Sequence, residues 1–214
     1  MASKIIDLTL PYDENIAGFS WEDAKVLEKD GWNARDLHIY SHAGTHMDAP
    51  RHFGVTEESI DEIPLESCRL QAWVAHLPET KAGSLIHPEQ LGEEILENLQ
   101  PGEGLLLHTG WSVKLGTDAY RNALPRVSKA LANWCISRKV ALIGVEPPSV
   151  ADVNNLEEVT LIHQLLLGNK IIIVEGLTNL NSLPNSKVDF WAVPLKIKKG
   201  DGAPCRAFVL AETE

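Results

Sequence analysis

Histidine and aspartate residues are concentrated in one short part of the sequence. Four histidines, His38, His42, His46 and His52, fall within 15 residues, and Asp48 lies between the last two. The spacing His-x-x-x-His-x-Asp offers two imidazoles and a carboxylate, a donor set that suits Zn²⁺ or Mn²⁺ and leaves positions open to solvent. We therefore predict that His42, His46 and Asp48 bind a divalent metal, and that His38 is an ordinary hydrogen-bonded strand residue.

A tight turn rather than a helix is expected to present these ligands. The Ala43-Gly44 step and Pro50 disfavour a regular helix, and Gly44 lets the backbone fold so that side chains on both sides of it converge. His52 follows Pro50, so its imidazole is predicted to reach the edge of the site without binding metal and to transfer protons, its unperturbed pKa being about 6.5. The alternative is a set of surface or core histidines with no common centre.

Two more candidate donors lie far along the chain. His163 occurs in TLIHQLLLG, a mostly apolar segment that is predicted to be helical, and Glu175 ends the apolar strand IIIVE. Taken alone, each has a plainer explanation, as a hydrogen-bonded core histidine and as a strand-end carboxylate. Both nevertheless lie near the C-terminal ends of their elements in a βαβ unit, at the sheet edge where sites gather in α/β folds.

The elements that must position these residues have an α/β pattern. The sequence predicts strands at 4–10, 36–41, 70–77, 104–110, 140–146 and 170–176, and helices at 88–99, 128–138 and 156–167. Apolar strands joined by a crossover helix predict parallel pairing within 140–176. The tail is predicted to form two antiparallel strands around a Gly-Asp-Gly turn, so the sheet is mixed. Residues 12–34 are expected to be loop-like.

Composition limits the partners of the chain. It has 214 residues, 44% of them hydrophobic, which suits a single domain over 1–214, and its formal net charge is −11. Such an acidic chain is a poor candidate for binding nucleic acid or an anionic membrane. Apolar stretches of the roughly 20 residues that span a bilayer, and a signal peptide, are not found. Three widely separated cysteines suit reduced thiols, so a cytoplasmic protein is expected. The expected partner is a small-molecule substrate rather than a nucleic acid or a membrane.

The segment HAGTHMDAPRHF, residues 42–53, resembles the H-x-G-T-H-x-D-x-P-x-H-F signature of the cyclase-like metal-dependent hydrolases. That family includes bacterial kynurenine formamidase and isatin hydrolase. Further segments are similar to the family pattern in the same order: IIDLTLPYDENI, LLLHTGW, LIGVEPPSV, HQLLLGNKIIIVEGLTNL and PLKIKKGDGAPCRAF. The resemblance implies a swivelling β/β/α domain with a mixed, barrel-like sheet, one or two divalent ions per subunit, zinc or manganese, and a homodimer or homotetramer.

Position by position, the resemblance implies a site for two metal ions. His42, His46 and Asp48 match the first metal ligands of the family. Asp48 and Glu175 match carboxylates that can bridge two ions, and His163 matches the remaining ligand of the second ion.

The resemblance also implies a catalytic residue and a substrate pocket. His52 matches the family's proton-transfer histidine. Trp21 falls near an aromatic residue that lines the formamidase pocket, and Phe19 and Phe53 could extend an apolar wall for an aryl substrate, the alternative being ordinary core packing. Two features depart from the family pattern: Glu146 stands where aspartate is usual, and IAGFSWED stands in place of a Pro-Gly-Asp motif.

Together these observations predict metal-dependent hydrolysis of an amide-like or cyclic-amide C–N bond, with an arylformamidase acting on N-formylkynurenine as the first candidate. The alternatives are an isatin hydrolase-like or other cyclic amide or lactone hydrolase, a cyclase or lyase, and a metal-stabilised binding domain without catalysis. A purely structural metal site is typically closed and rich in cysteine. The imidazole and carboxylate donors found here, with His52 as a further histidine outside the ligand set, favour an enzyme.

Overall fold

The computed structural model describes residues 3–184 and 187–212 of the chain. The strands are β1 (Ser3–Asp7), β2 (Phe19–Lys25), β3 (Ala34–Ile39), β4 (His46–Asp48), β5 (Arg69–His76), β6 (Leu85–Ile86), β7 (Gly104–His108), β8 (Arg126–Val127), β9 (Leu142–Val145), β10 (Ile172–Glu175), β11 (Lys187–Pro194) and β12 (Gly202–Glu212). The helices are α1 (Leu27–Asp30), α2 (Glu93–Asn98), α3 (Asp118–Asn122), α4 (Lys129–Arg138) and α5 (Leu156–Gly168).

Seven of these strands form a closed barrel. In the order β12, β11, β5, β7, β9, β10 and β4, each strand pairs with the next, and β4 pairs back to β12. Strands β5, β7, β9 and β10 run parallel to one another, and the other pairings are antiparallel. The predicted α/β class with a mixed, barrel-like sheet is confirmed.

The barrel strands separate two apolar cores. Along β7, Leu106 packs with Met47 and Phe190 inside the barrel, whereas Leu105 and Leu107 pack under the helices α4 and α5. Successive side chains of a strand point to opposite faces, so a strand buried on both faces is apolar throughout. The parallel pairing of β9 with β10, with α5 as the crossover, is confirmed.

Two regions differ from the sequence-based expectation. Residues 12–34 contain β2 and α1, and β2 pairs with β3 in a separate hairpin. Most side chains of this hairpin are exposed, including Trp32 and Leu37, so it has no buried face that alternation could reveal. The helix expected over 88–99 is a 3₁₀ turn at Pro88–Gln90 followed by α2, because Gly92 between them has a φ of 85° that interrupts the helix.

The helix α4 begins as expected. The Ser128 side chain accepts a hydrogen bond from the Leu131 N–H at 3.0 Å, which satisfies one of the free donors of the first turn. In the described parts of the chain, every helix is too short or too polar to cross a membrane.

Candidate metal centre

The strand β4 carries the central residues of the site and closes the barrel. His46 and Asp48 lie on the same face of this three-residue strand, and Met47 between them points into the barrel interior. In the antiparallel register, Glu175 of β10 lies directly opposite His46. Residues opposed in this way share a face of the sheet, so closure of the barrel places three ligand-type side chains side by side.

The turn before β4 is held against the end of β10. Gly44 has a φ of 60°, as its predicted role in the turn requires, and the Tyr12 hydroxyl donates to the Ala43 carbonyl at 2.6 Å. The Thr45 hydroxyl donates to the Gly176 carbonyl at 2.5 Å, and a Cβ atom at Gly176 would overlap the carbonyl of Gly44. This close approach of two backbones fixes where His46 and Glu175 meet.

The helix α5 adds a fourth side chain. The Nε2 atom of His163 lies 3.5 Å from an Asp48 oxygen and 3.4 Å from a Glu175 oxygen. On the other side, the Nε2 atom of His46 lies 3.1 Å from Glu175 and 3.6 Å from Asp48. All four side chains are buried. Residues more than a hundred positions apart therefore converge as the sequence predicts.

The hydrogen bonds of the two imidazoles fix which nitrogen faces the carboxylates. The Nδ1 atom of His46 is 2.9 Å from the Gly44 carbonyl, and the Nδ1 atom of His163 is 2.7 Å from the Val159 carbonyl. Because a carbonyl only accepts, each Nδ1 carries the hydrogen in the neutral imidazole and each Nε2 directs its lone pair at the carboxylates. Metal-binding histidines are typically oriented in this way.

The site holds polar atoms that need a cation. Within the described residues, His46 Nε2 and Asp48 Oδ2 are buried and have no hydrogen-bond partner. Burial opposes protonation of His46 and His163, but Glu175 and then Asp48 outweigh it and raise the pKa of both imidazoles. Burial likewise opposes ionisation of Glu175, yet the two imidazoles hold its pKa well below its usual range. The donors fit a divalent metal, which supplies positive charge between the carboxylates in place of protons.

His42 and His52 lie together at the edge of this cluster. The Nδ1 atom of His42 is 2.8 Å from Asp48, and the ring of His52 stacks on the ring of His42 with centroids 3.7 Å apart. His42, Asp48 and His52 form one possible ligand group, and His46, Asp48 and Glu175 form a second, so Asp48 is common to both. The structure thus brings all five predicted ligands together. It also places His52 within reach of the same centre, so its role outside the metal shell stays a prediction.

Asp201 also belongs to this edge, although the sequence did not single it out. Its carboxylate lies 3.2 Å from Nε2 of His42 and 3.8 Å from Nδ1 of His52. Asp201 sits in the predicted Gly-Asp-Gly turn, where aspartate is common for local reasons. Its approach to the site depends on the pairing of β12 with β4, which opposes Gly202 to Asp48.

A cavity of about 620 Å³ opens onto these residues. Its wall includes His42, His52, His163 and Glu175, and apolar side chains such as Ile16, Leu115 and Val153. The cavity therefore connects the candidate metal ligands with an apolar chamber large enough for a small molecule.

The three predicted substrate-binding aromatics are placed differently. Phe53 lines the cavity and stacks on the ring of His163 with centroids 4.3 Å apart. Phe19 packs edge-on against Tyr12, and Trp21 lies beyond it under the guanidinium of Arg35. Neither Phe19 nor Trp21 is part of the cavity wall in the described chain, so their contact with substrate stays a prediction. His38 is exposed on β3 near Glu22, apart from the site.

The departure at Glu146 affects the wall of the cavity rather than the ligand cluster. The buried carboxylate of Glu146 accepts hydrogen bonds from the backbone N–H groups of Thr109 and Trp111 and from the Ser112 hydroxyl, at 2.7, 3.0 and 2.9 Å. The Tyr120 hydroxyl donates to the carbonyl of the same residue at 3.1 Å. Glu146 therefore fastens the segment after β7 and the cavity-lining Tyr120 to the end of β9.

Comparison with known proteins agrees with the resemblance. Residues 6–152 match the family model described as Cyclase. The kynurenine formamidase of Salinibacter ruber is 29% identical over 197 residues, which are 92% of this chain and 88% of that protein. The kynurenine formamidase of Bacillus anthracis is 27% identical over an alignment of 216 positions that covers 97% of each chain.

Solved structures share the fold. Isatin hydrolase A from Ralstonia solanacearum superimposes with a TM-score of 0.89 at 24% identity, over 98% of this chain and 92% of that one. A protein from Bacillus stearothermophilus described as a predicted metal-dependent hydrolase gives a TM-score of 0.79 at 22% identity, over 99% of this chain and 100% of that one. Since the family match spans more than half of the sequence and includes the whole segment 42–53, this chain belongs to the cyclase family.

Proposed function

We propose that this chain is a metal-dependent hydrolase that cleaves a C–N bond in an amide-like substrate, with an N-formyl aryl amide as the preferred class. The observation that carries the proposal is the convergence of His46, Asp48, His163 and Glu175 at a cavity, with both Nε2 atoms directed at the carboxylates. The kynurenine formamidases that align with nearly the whole chain support the arylformamide substrate.

These residues, together with His42, would hold one or two zinc or manganese ions. A bound ion of this kind lowers the pKa of water toward about 7 and polarises a carbonyl group. Asp48 and Glu175 would supply carboxylate oxygens to this site, since each has two oxygens and each is close to both His46 and His163. The neutral imidazoles of His46 and His163, with Nδ1 bound to backbone carbonyls, keep Nε2 available as a ligand.

His52 acts as the proton-transfer residue. Burial lowers its pKa, with His42 and His163 acting in the same direction and Asp48 opposing them, so the imidazole is neutral near pH 7 and accepts a proton from the attacking water. Passing that proton to the leaving nitrogen completes hydrolysis. Asp201, which lies close to both His42 and His52, holds this pair of rings at the edge of the site.

A binding domain without catalysis is the rival from another class. A structural metal site has a closed set of ligands. Here the candidate ligands line a cavity of about 620 Å³ with a spare histidine and an apolar wall, which favours an enzyme.

Metal analysis of untreated protein, followed by hydrolysis assays with N-formyl aryl amides, isatins and lactones, tests the proposal. We expect zinc or manganese at one or two ions per subunit and metal-dependent hydrolysis of the formyl amides. Hydrolysis of isatins alone would favour the isatin hydrolase-like alternative, and ring-closed products would favour a cyclase. Metal-loaded protein that hydrolyses none of the compounds would contradict the proposal.

We also propose that the protein is a homodimer or homotetramer, as the family resemblance implies. Light scattering coupled to size-exclusion chromatography gives the mass directly, and a mass of one subunit at micromolar concentration would contradict this.

A further inference from the structure

Among the residues that the structure describes, one arginine differs from the others in having no ion-pair or hydrogen-bond partner for its guanidinium. The chain has seven arginines, and in the described residues six of them contact a carboxylate or a carbonyl oxygen. These pairs are Arg35 with Asp23, Arg51 with Glu57, Arg69 with Asp189, Arg126 with Glu158, Arg138 with the Leu96 carbonyl, and Arg206 with Asp7. The guanidinium of Arg121 has no ion pair or hydrogen bond with any residue of 3–184 or 187–212, and Arg121 lines the cavity.

The acidic residues near Arg121 do not neutralise it. Asp118, one turn earlier on α3, accepts a hydrogen bond from the Asn122 amide at 2.6 Å, and Asn122 in turn accepts one from Asn154 at 3.1 Å. Glu14 lies in the same wall without an ion pair to Arg121 in the described structure. The guanidinium is therefore available to a molecule in the cavity.

The chemistry of this group points to one kind of partner. A guanidinium binds a carboxylate through two parallel hydrogen bonds, a geometry that an ammonium group cannot copy. Arg121 is the sole lysine or arginine in the described cavity wall, whereas Glu14 and Asp118 would repel an anion. Away from the metal ligands, Arg121 is thus the one cationic side chain of this wall at which a carboxylate can bind. Because the same cavity reaches His52, His163 and Glu175, one molecule can occupy both ends.

We propose that Arg121 binds a carboxylate of the substrate, separate from the bond that is cleaved, and selects aryl amides that carry a carboxylate over uncharged ones. This inference rests on the proposed function, since it names the substrate class of that same site. It separates the two leading substrates chemically: N-formylkynurenine has a free carboxylate, and isatin has none.

Titration calorimetry with two matched ligands tests the contact without depending on turnover. The ligands are kynurenine, the amine released from the formyl compound, and kynurenine carboxamide, which lacks the carboxylate. We expect the metal-loaded protein to bind kynurenine at least about 10-fold more tightly, as charge-assisted hydrogen bonds imply. Arg121→Met should remove most of this preference. Arg121→Lys should keep part of it, because an ammonium group retains the charge but cannot form the two parallel hydrogen bonds.

Two control variants separate contact from general charge. Arg35→Met removes the same charge from the distant hairpin and should keep the full preference. Glu14→Gln changes the charge of the same wall, and a change in preference as large as that of Arg121→Met would indicate a field effect rather than a contact. Any of three results would overturn the inference. These are equal affinity for the two ligands, no binding of kynurenine at millimolar concentration, and full preference for kynurenine in Arg121→Met or Arg121→Lys. Failure of the proposed function would appear instead as absent hydrolysis with the ligand preference intact.

Discussion

Two pairs of histidines in this molecule differ in the groups that surround them. His46 and His163 lie across two carboxylates, and each has its Nδ1 atom bound to a backbone carbonyl. His76 and His108 lie opposite each other on the parallel strands β5 and β7, with their Nδ1 atoms 2.8 Å apart. Among the described residues, His46 forms a group of three ligand-type side chains with Asp48 and Glu175, whereas His76 and His108 belong to no such group.

The surroundings of His46 and His163 differ from those of His108 in whether they favour positive charge on the imidazole. Carboxylates raise the pKa of His46 and His163 in spite of burial, so that site favours positive charge. Burial lowers the pKa of His108 in spite of the opposing charge of Glu146, and His76 adds to the effect, so the surroundings of His108 disfavour positive charge. Proximity of imidazoles is therefore a weak sign of a metal site. Carboxylates on one side and carbonyl partners on the other are the stronger sign.

The largest effect is expected from Asp48→Asn. Asp48 contacts His42, His46 and His163, so removing its charge weakens both possible ligand groups. We expect metal affinity to fall by more than the roughly 10–100-fold loss that follows mutation of residues behind the ligands, with activity falling alongside. Calorimetric titration with Zn²⁺ measures this. Asp189→Asn, which removes a carboxylate from the ion pair with Arg69, is the matched control, and equal metal binding by both variants would refute the role of Asp48.

A histidine-to-glutamine substitution in each pair tests whether the two pairs differ in metal binding. His163→Gln should lose metal, because it removes an Nε2 lone pair directed at the carboxylates. His108→Gln should keep full metal content, since glutamine can still hydrogen-bond to His76. Elemental analysis of the two proteins, with circular dichroism to check folding, provides the measurement. Loss of metal from folded His108→Gln would mean that the two pairs do not differ as described.

In His52→Ala, we expect kcat to fall while the metal content stays unchanged. A proton-transfer residue outside the metal shell should leave the metal in place while kcat falls by about 10²–10⁴-fold. Since His52 lies in a possible ligand group with His42 and Asp48, loss of metal in this variant would make His52 a ligand. Full metal with unchanged kcat would leave it with neither role.

The smallest effect is expected from Asp201→Asn. The substitution keeps the shape of the side chain but weakens its interaction with His42 and His52, so we expect roughly a 10-fold loss in kcat. Metal content should remain complete. A steady-state assay detects this loss, and activity equal to that of the unchanged protein would show that Asp201 does not orient the two rings.

The sequence predicted the parts of this molecule whose cause is local. Apart from His108 and Glu175 at their ends, strands β7, β9 and β10 are apolar because they are buried on both faces, and this pattern is visible in the local sequence. His42, His46 and Asp48 were found because one turn carries all three. The family resemblance then singled out His163 and Glu175, which local pattern alone left with plainer explanations.

The contacts that the local sequence could not predict in the site depend on closure of the barrel. Pairing of β4 with both β10 and β12 brings Glu175 opposite His46 and carries Asp201 to His42, and nothing in the local sequence around Asp201 reveals that contact. The strand β2 escaped prediction because its side chains are mostly exposed, whereas its partner β3 overlaps the strand expected at 36–41. The break at Gly92 escaped because the apolar positions of 88–99 keep a helical spacing across it.

Anomalous diffraction from crystals of metal-replete protein, at the zinc and manganese edges, tests directly whether His46, Asp48 and Glu175 bind a metal ion. We expect an ion bound by His46 Nε2 and by oxygens of Asp48 and Glu175, with zinc–nitrogen distances of about 2.0–2.1 Å, and no ion at His76 and His108. An ion at His76 and His108, or His46 Nε2 more than about 3 Å from every ion in the crystal, would contradict it.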